Sequence, residues 1–202
     1  MPKDIFHDRE RAEEAVYFSK QDAKLIEKLR EKARLSEVAH ALAEKLQVDN
    51  PELLRRITDL GVTLDTGAAF ILAPLIQVAW ADGKVSHAEQ DTVVRLAAER
   101  GIAPGSGDHS QVLAWLAAAP SPALFDTALE AIRVGLSVLP RSEAEERIER
   151  VINACREVAE ASGGLPKLLH LQSGASATER LTIDAIRATL LGNDSGPKQT
   201  TS

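Results

Sequence analysis

The turn Ala81-Asp82-Gly83-Lys84-Val85-Ser86-His87-Ala88-Glu89 gathers the residues best suited to chemistry in this chain. The carboxylates of Asp82 and Glu89, with the Lys84 carbonyl between them, are hard oxygen donors of the kind that hold Ca²⁺ or Mg²⁺. A glycine at a sharp bend, then a glutamate, is also the back half of a helix-loop-helix calcium loop. The front half is missing, because Val78 and Trp80 stand where its carboxylates belong. Calcium takes roughly six to eight oxygens. One such turn is too small a donor set unless Glu179 or Glu160 joins it across the fold. The same residues also make sense without an ion. Asp82 closes a turn, Ser86 caps the next helix, and Glu89 completes a capping box three residues on. His87 beside them is either a proton-linked neighbour or an exposed first-turn residue.

Other chemistry has less to stand on. Ser106, Asp108 and His109 are close in sequence, but adjacency in a loop does not build a nucleophile, base and orienter. His7, His40, His87, His109 and His170 show no His-x-x-x-His spacing for a transition metal. There is no phosphate-cradling glycine loop followed by Lys-Ser/Thr, and no strand to carry a dinucleotide fold. No enzyme is expected. Cys155 lies on an apolar stripe and reads as a small core residue. It is the single cysteine. An internal disulfide and a cysteine zinc cluster are therefore excluded, and a reducing cytoplasm is expected.

The elements that must position the turn are helical. The chain has 202 residues, a formal charge of −6 and 3% aromatics. Its core must be aliphatic and alanine-rich, which suits close-packed helices. The acidic balance argues against nucleic acid as the main partner, since phosphates need a basic footprint. The opening Met-Pro-Lys-Asp-Ile-Phe-His has no apolar stretch of the secretory kind. The longest apolar run, 66–81, is shorter than a membrane span and contains Gly67, Pro74 and Gln77. No transmembrane segment is expected; peripheral membrane association stays open.

Residues 8–47 read as one long polar helix with no Gly or Pro. Glu27 with Arg30 and Glu31 with Arg34 are spaced to pair along it. Its apolar residues thicken toward Leu35, Val38, Leu42 and Leu46, so its first half projects or pairs with another chain. Asp49-Asn50-Pro51 starts a short helix ending at Gly61. The run 66–81 is apolar all round and belongs inside a bundle, with a kink expected at Pro74. Further helices are expected over 86–100, from Asp108 or Ser110 to before Pro120, over 122–139, from Ser142 with Glu145 as box partner to Gly163, and from Ser176 to Leu191. The inner face of the last is Leu181, Ile183, Ile186 and Leu190. The polar tail from Gly192 is expected to be disordered.

An internal echo connects two of these helices. Val78-Ala79-Trp80-Ala81-Asp82-Gly83 aligns with Val158-Ala159-Glu160-Ala161-Ser162-Gly163, and Ser86 to Glu89 with Ser176 to Glu179. Helix-loop-helix units pair this way because each covers the other's apolar face. The stretch Val-Ala-Trp-Ala-Asp-Gly-Lys-Val-Ser-His-Ala-Glu, followed by Leu-Ala-Ala-Glu-Arg-Gly-Ile, resembles the signature of the TerB-like tellurite-resistance family. That family is itself similar to the N-terminal module of some membrane-linked DnaJ-type co-chaperones. The resemblance covers about residues 51–192. It implies an all-helical bundle, an acidic metal-linked turn and a binding role in stress response. By its pattern Asp82 and Glu89 are the acidic positions, with Ser162 and Glu179 as counterparts. Ser162 stands where an aspartate is expected.

Outside that match, Phe6, Arg9, Glu10, Ala12, Glu14 and Tyr17 resemble the start of a bacterial ATP-synthase inhibitor family, whose later basic motif is absent. The fold expected is all-α: a long polar helix over 1–50, a bundle of about seven helices over 51–192, and a tail over 193–202. The function expected is a non-catalytic binding module for a protein partner. Asp82, Ser86, Glu89 and Glu179 are its candidate metal residues for Ca²⁺ or Mg²⁺, and the N-terminal helix is available for self-association. The alternative is a regulator acting through the N-terminal helix alone.

Overall fold

The computed structural model describes residues 20–22, 24–27, 41, 43–44, 46, 48–161 and 175–192. The chain divides into two compact units, Met1–His40 and Ala41–Ser202. In the first, residues 20–22 and 24–27 are helical and exposed. The rest of the long helix expected over 8–47 lies almost wholly outside the described residues, as does the tail from 193. In the second unit Leu46 and Val48 are already buried, ahead of Pro51.

The described residues of the second unit are helices and connections without a strand. Among the described residues eight helices follow from Pro51: α1 (Pro51–Asp59), α2 (Gly67–Ile71), α3 (Ala73–Ala79), α4 (His87–Glu99), α5 (Gly107–Ala117), α6 (Pro122–Ser137), α7 (Arg141–Ala161) and α8 (Ala177–Leu190). The expectation was about seven. The difference is the run 66–81, which is two helices and not one kinked helix. Pro74 has no N–H to close a bond to Phe70, so the chain turns at Leu72 and restarts with Pro74 in the first turn of α3. Leu75 and Ile76 then both bond back to the Leu72 carbonyl.

Local sequence sets most of the boundaries. Asn50 Oδ1 caps α1 by accepting from the N–H groups of Glu52 and Leu53, each at 3.1 Å. Gly61 and Gly101 end α1 and α4 at φ +80° and +87°, conformations only glycine takes without strain. Two starts differ from expectation. Helix α5 is capped by Ser106, whose Oγ accepts from His109 N–H at 3.1 Å. Of the two expected caps, Asp108 reaches out of the helix to accept from Ala69 N–H at 2.8 Å, pinning the first turn of α2, and Ser110 Oγ donates to the Ser106 carbonyl at 3.0 Å. A Cβ on the neighbouring Gly107 would meet the Asp65 carbonyl oxygen at 2.8 Å, so this approach requires glycine. Helix α7 starts at Arg141, one residue early, and no box forms between Ser142 and Glu145. Glu145 instead accepts from Arg141 Nε at 2.8 Å.

The core is a stack of aliphatic faces. Helix α3 is central, packed on α4, α5, α6, α7 and α8. Its Ala73, Pro74, Leu75, Ile76, Val78 and Ala79 are all buried, which explains why it carries no polar face. Helix α7 adds Ile148, Ile152, Cys155, Val158 and Ala159, and α8 adds Ile183, Ile186 and Leu190. Leu181, expected on that inner face, is 69% exposed. At about 100° per residue it points away from Ile183, whereas Ile186 and Leu190 follow at helical spacing. Among the described residues no helix is long and apolar enough to cross a membrane.

Candidate functional site: a buried pair of glutamates

Two helix-turn-helix units build the site. Helix α3 leads through a turn to α4, and α7 leads to α8. The packing is reciprocal: α3 lies against α7, α4 crosses onto α7, and α8 crosses onto α3. Ion pairs at the surface tie both second helices to α7, Arg95 with Glu157 from α4 and half-buried Arg187 with Glu149 from α8 at 2.7 Å. Each contributes at most about 1 kcal/mol. The alignment of the two sequence segments therefore corresponds to two structural units that cover one another.

The second helix of each unit opens with the same device. Ser86 Oγ accepts from Glu89 N–H at 3.3 Å, and Glu89 Oε2 accepts from Ser86 N–H at 2.7 Å. In α8, Ser176 Oγ accepts from Glu179 N–H at 3.2 Å, and Glu179 Oε2 accepts from Ser176 N–H. Both serines are extended, with φ −77° and ψ 161° against φ −66° and ψ 165°. Removing either hydroxyl should cost about 0.5–2 kcal/mol. Thermal melts of Ser86→Ala and Ser176→Ala check this, and equal losses are expected because the geometry is equal.

What sets these boxes apart from ordinary caps is burial. Glu89 is 2% exposed and Glu179 is 1% exposed. They face one another. Burial raises the Glu89 carboxyl above the ordinary glutamate range; its bonds to Ser86 oppose this, and the neighbouring Glu179 carboxyl pushes it up further. Glu89 Oε1 is buried with no hydrogen-bond partner among the described residues; Gln77 Oε1 on α3 is the other such oxygen. An unpaired carboxylate oxygen away from water is costly.

The other candidate residues stand apart. Asp82 is exposed and its Oδ1 accepts from Lys84 N–H at 3.2 Å, closing its own turn beside Gly83 at φ +90°. Lys84, His87 and Glu160 are exposed. Ser162, the expected counterpart of Asp82, lies outside the described residues. Among the described residues no three His, Cys, Asp or Glu side chains gather to hold a metal. The pair offers one unclaimed Glu89 oxygen, while both Oε2 atoms are used in caps. Among the described residues, the donors brought together here are fewer than the roughly six to eight oxygens Ca²⁺ takes.

Comparison with protein-family models, curated proteins and solved structures finds no match for this chain. What the molecule does must be read from its own groups. Ser106, Asp108 and His109 are spent on structure: a cap, a tie to Ala69, and an Nδ1 that accepts from Gly105 N–H at 3.4 Å. Cys155 is fully buried and its thiol is pushed up to about 12, far from a reactive thiolate. A cleft of about 290 Å³ between α7 and α8 sets Arg156 and Arg180 against Glu160 and Asp184, balanced in charge. Sequence reasoning missed one tie: Trp80 Nε1 donates to the Trp115 carbonyl at 2.8 Å, fixing the end of α3 to α5. A tryptophan closing an alanine-rich helix was the available signal.

Proposed function

We propose that this chain is a non-catalytic module that binds a protein partner, built on the plan of the TerB-like domains and acting in a stress response of the tellurite-resistance kind. The observation that carries this is the mutual packing of two helix-turn-helix units whose capping glutamates meet inside the bundle. That arrangement leaves the polar groups of the fold committed to its own scaffold. The surface, not an interior cleft, is then the working part. The cation named in the sequence expectation is not part of the proposal, because the pair supplies too few free oxygens. The N-terminal segment adds a surface for the partner or for a second copy.

Co-purification with the full chain and with a version beginning at Ala41 tests the reading. The cut falls between the two compact units and spares buried Leu46 and Val48. The bundle alone should retain the partner. If every bound protein is lost with residues 1–40, the N-terminal helix is the functional element and the inhibitor-like reading replaces this one. Calorimetry with Ca²⁺, Mg²⁺ and Zn²⁺ should give no tight binding to the full chain. A strong signal abolished by Glu89→Gln would restore the cation.

A further inference from the structure

A groove opens at the end of the bundle where α6 hands over to α7. Consecutive helices of a bundle usually cover one another. Here α6 and α7 each pack more on α8 than on each other. The space left between them is about 460 Å³. Its floor is apolar: Ile148 and Leu190 are buried, Leu136 and Ala144 are half-buried, and Leu191 is 43% exposed. Val138, which follows Ser137 of the wall, is 73% exposed, more than any other large apolar side chain among the described residues.

The wall is cationic in a chain that is not. The whole sequence carries a formal charge of −6. The groove sets two arginines, Arg133 and Arg141, against one glutamate, Glu145. Glu145 is already engaged by Arg141 Nε at 2.8 Å, and the Arg141 side chain is exposed. Arg133 is exposed too, and no hydrogen bond or ion pair engages it among the described residues. The glutamate one turn before it, Glu130, holds Arg56 of α1 instead. An arginine fork beside uncovered apolar surface matches a carboxylate carried on an amphipathic helix. A small ligand would be buried over most of its surface, and this groove is too open for that.

We propose that this groove is where the bundle holds its protein partner, and that the partner enters as an amphipathic helix with aspartate or glutamate beside its apolar face. The proposal rests on the reading of the chain as a protein-binding module. The helix lays its apolar stripe over Leu136, Ile148 and Leu190, with anchors three or four residues apart. Its carboxylate accepts from the Arg133 guanidinium, and Arg141 adds a second positive charge from α7. Val138 and Leu191 lose their exposure as the stripe closes over them. The apolar floor supplies the affinity. The arginines fix the orientation and select against basic helices. An acidic partner is repelled by the rest of the chain, so its attraction is confined to this rim.

Fluorescence anisotropy with the full chain tests this. The probe is a labelled synthetic helix with leucines three and four residues apart, flanked by glutamates. Two control helices carry glutamine or lysine in place of the glutamates. The acidic helix should bind about tenfold tighter than the glutamine helix, and the lysine helix should not bind. Added salt should weaken the acidic helix alone. Arg133→Glu should weaken it about tenfold. Ala144→Trp, which fills the groove, should abolish binding, while Leu181→Glu on the far arc of α8 should leave it unchanged. Equal binding of the three helices overturns the proposal. So does binding unmoved by Arg133→Glu and Ala144→Trp in chains whose circular dichroism matches wild type. Binding to phosphatidylglycerol vesicles that the same two substitutions abolish overturns it in favour of a membrane surface. Nuclear Overhauser contacts from residues 193–202 to Leu136 or Ala144 overturn it in favour of the chain's own tail. The co-purified partner keeps the two readings apart. A partner retained by both variants sinks the groove and leaves the module reading standing; no retained partner sinks the module reading whatever the synthetic helix does.

Discussion

Phe70→Ala should lower the stability of the bundle by about 3–5 kcal/mol. Phe70 is 0% exposed and is the largest fully buried side chain. It sits on α2, a helix of five residues that cannot hold itself together by backbone bonds alone. Its neighbours cannot collapse freely into the space, because α2 is pinned through Ala69 N–H to Asp108 and turns directly into buried α3. The loss therefore includes both the transfer of the ring and the cavity left behind. Urea denaturation followed by circular dichroism should show a lower midpoint with an unchanged slope. A loss under about 1 kcal/mol would mean that the ring is not part of a packed core.

Ile152→Ala should cost about 2–5 kcal/mol. Ile152 is 0% exposed on α7, the helix touched by α3, α4 and α8. A cavity there opens between the two duplicated units and not at their edge. Against a total stability of about 5–15 kcal/mol, either substitution removes a large share. Tryptophan emission is a useful second readout here, since Trp80 is anchored to the Trp115 carbonyl and packs against the same cluster. Coincident emission and circular dichroism transitions are expected; separate ones would show that the units unfold independently.

Both predictions concern packing because packing is what the glutamate pair depends on. A carboxyl group is kept from water only while the faces around it stay closed. If Ile152→Ala loosens that junction, water reaches Glu89 and its carboxyl should move back toward the ordinary glutamate range, because burial is the main cause of its raised value. The two sets of measurements are therefore linked through one structural feature, the contact between units.

Much of this was legible in the amino-acid order. Val93, Leu96 and Ala97 recur at helical spacing and all three are buried. Asn50-Pro51, Ser86 with Glu89 and Ser176 with Glu179 announce helix starts, because capping is a bargain between residues three apart and needs nothing distant. The alignment of 78–89 with 158–179 was visible for the same reason. Three matters were not visible. Pro74 reads as a kink or as a break depending on whether neighbours hold the two halves in line. Asp108 and Ser110 both read as caps, but Ser106 caps the helix and Asp108 accepts from the distant Ala69 N–H instead. Leu181 is apolar but faces solvent, since the position of α8 on α3 and α6 decides which arc of the helix is covered.

The acidic turn shows the same division. Sequence alone determined that the bundle is helical, where the caps at Asn50, Ser86 and Ser176 lie, and that Glu89 and Glu179 hold equivalent positions. It left Asp82 and Glu89 looking like partners because seven residues separate them along the chain. The tertiary structure decided otherwise: Asp82 stays at the surface serving its own turn, while Glu89 turns inward to meet Glu179. The physical reason is that capping energies are local, whereas burial is set by which helix faces close over one another. No spacing rule carries that information.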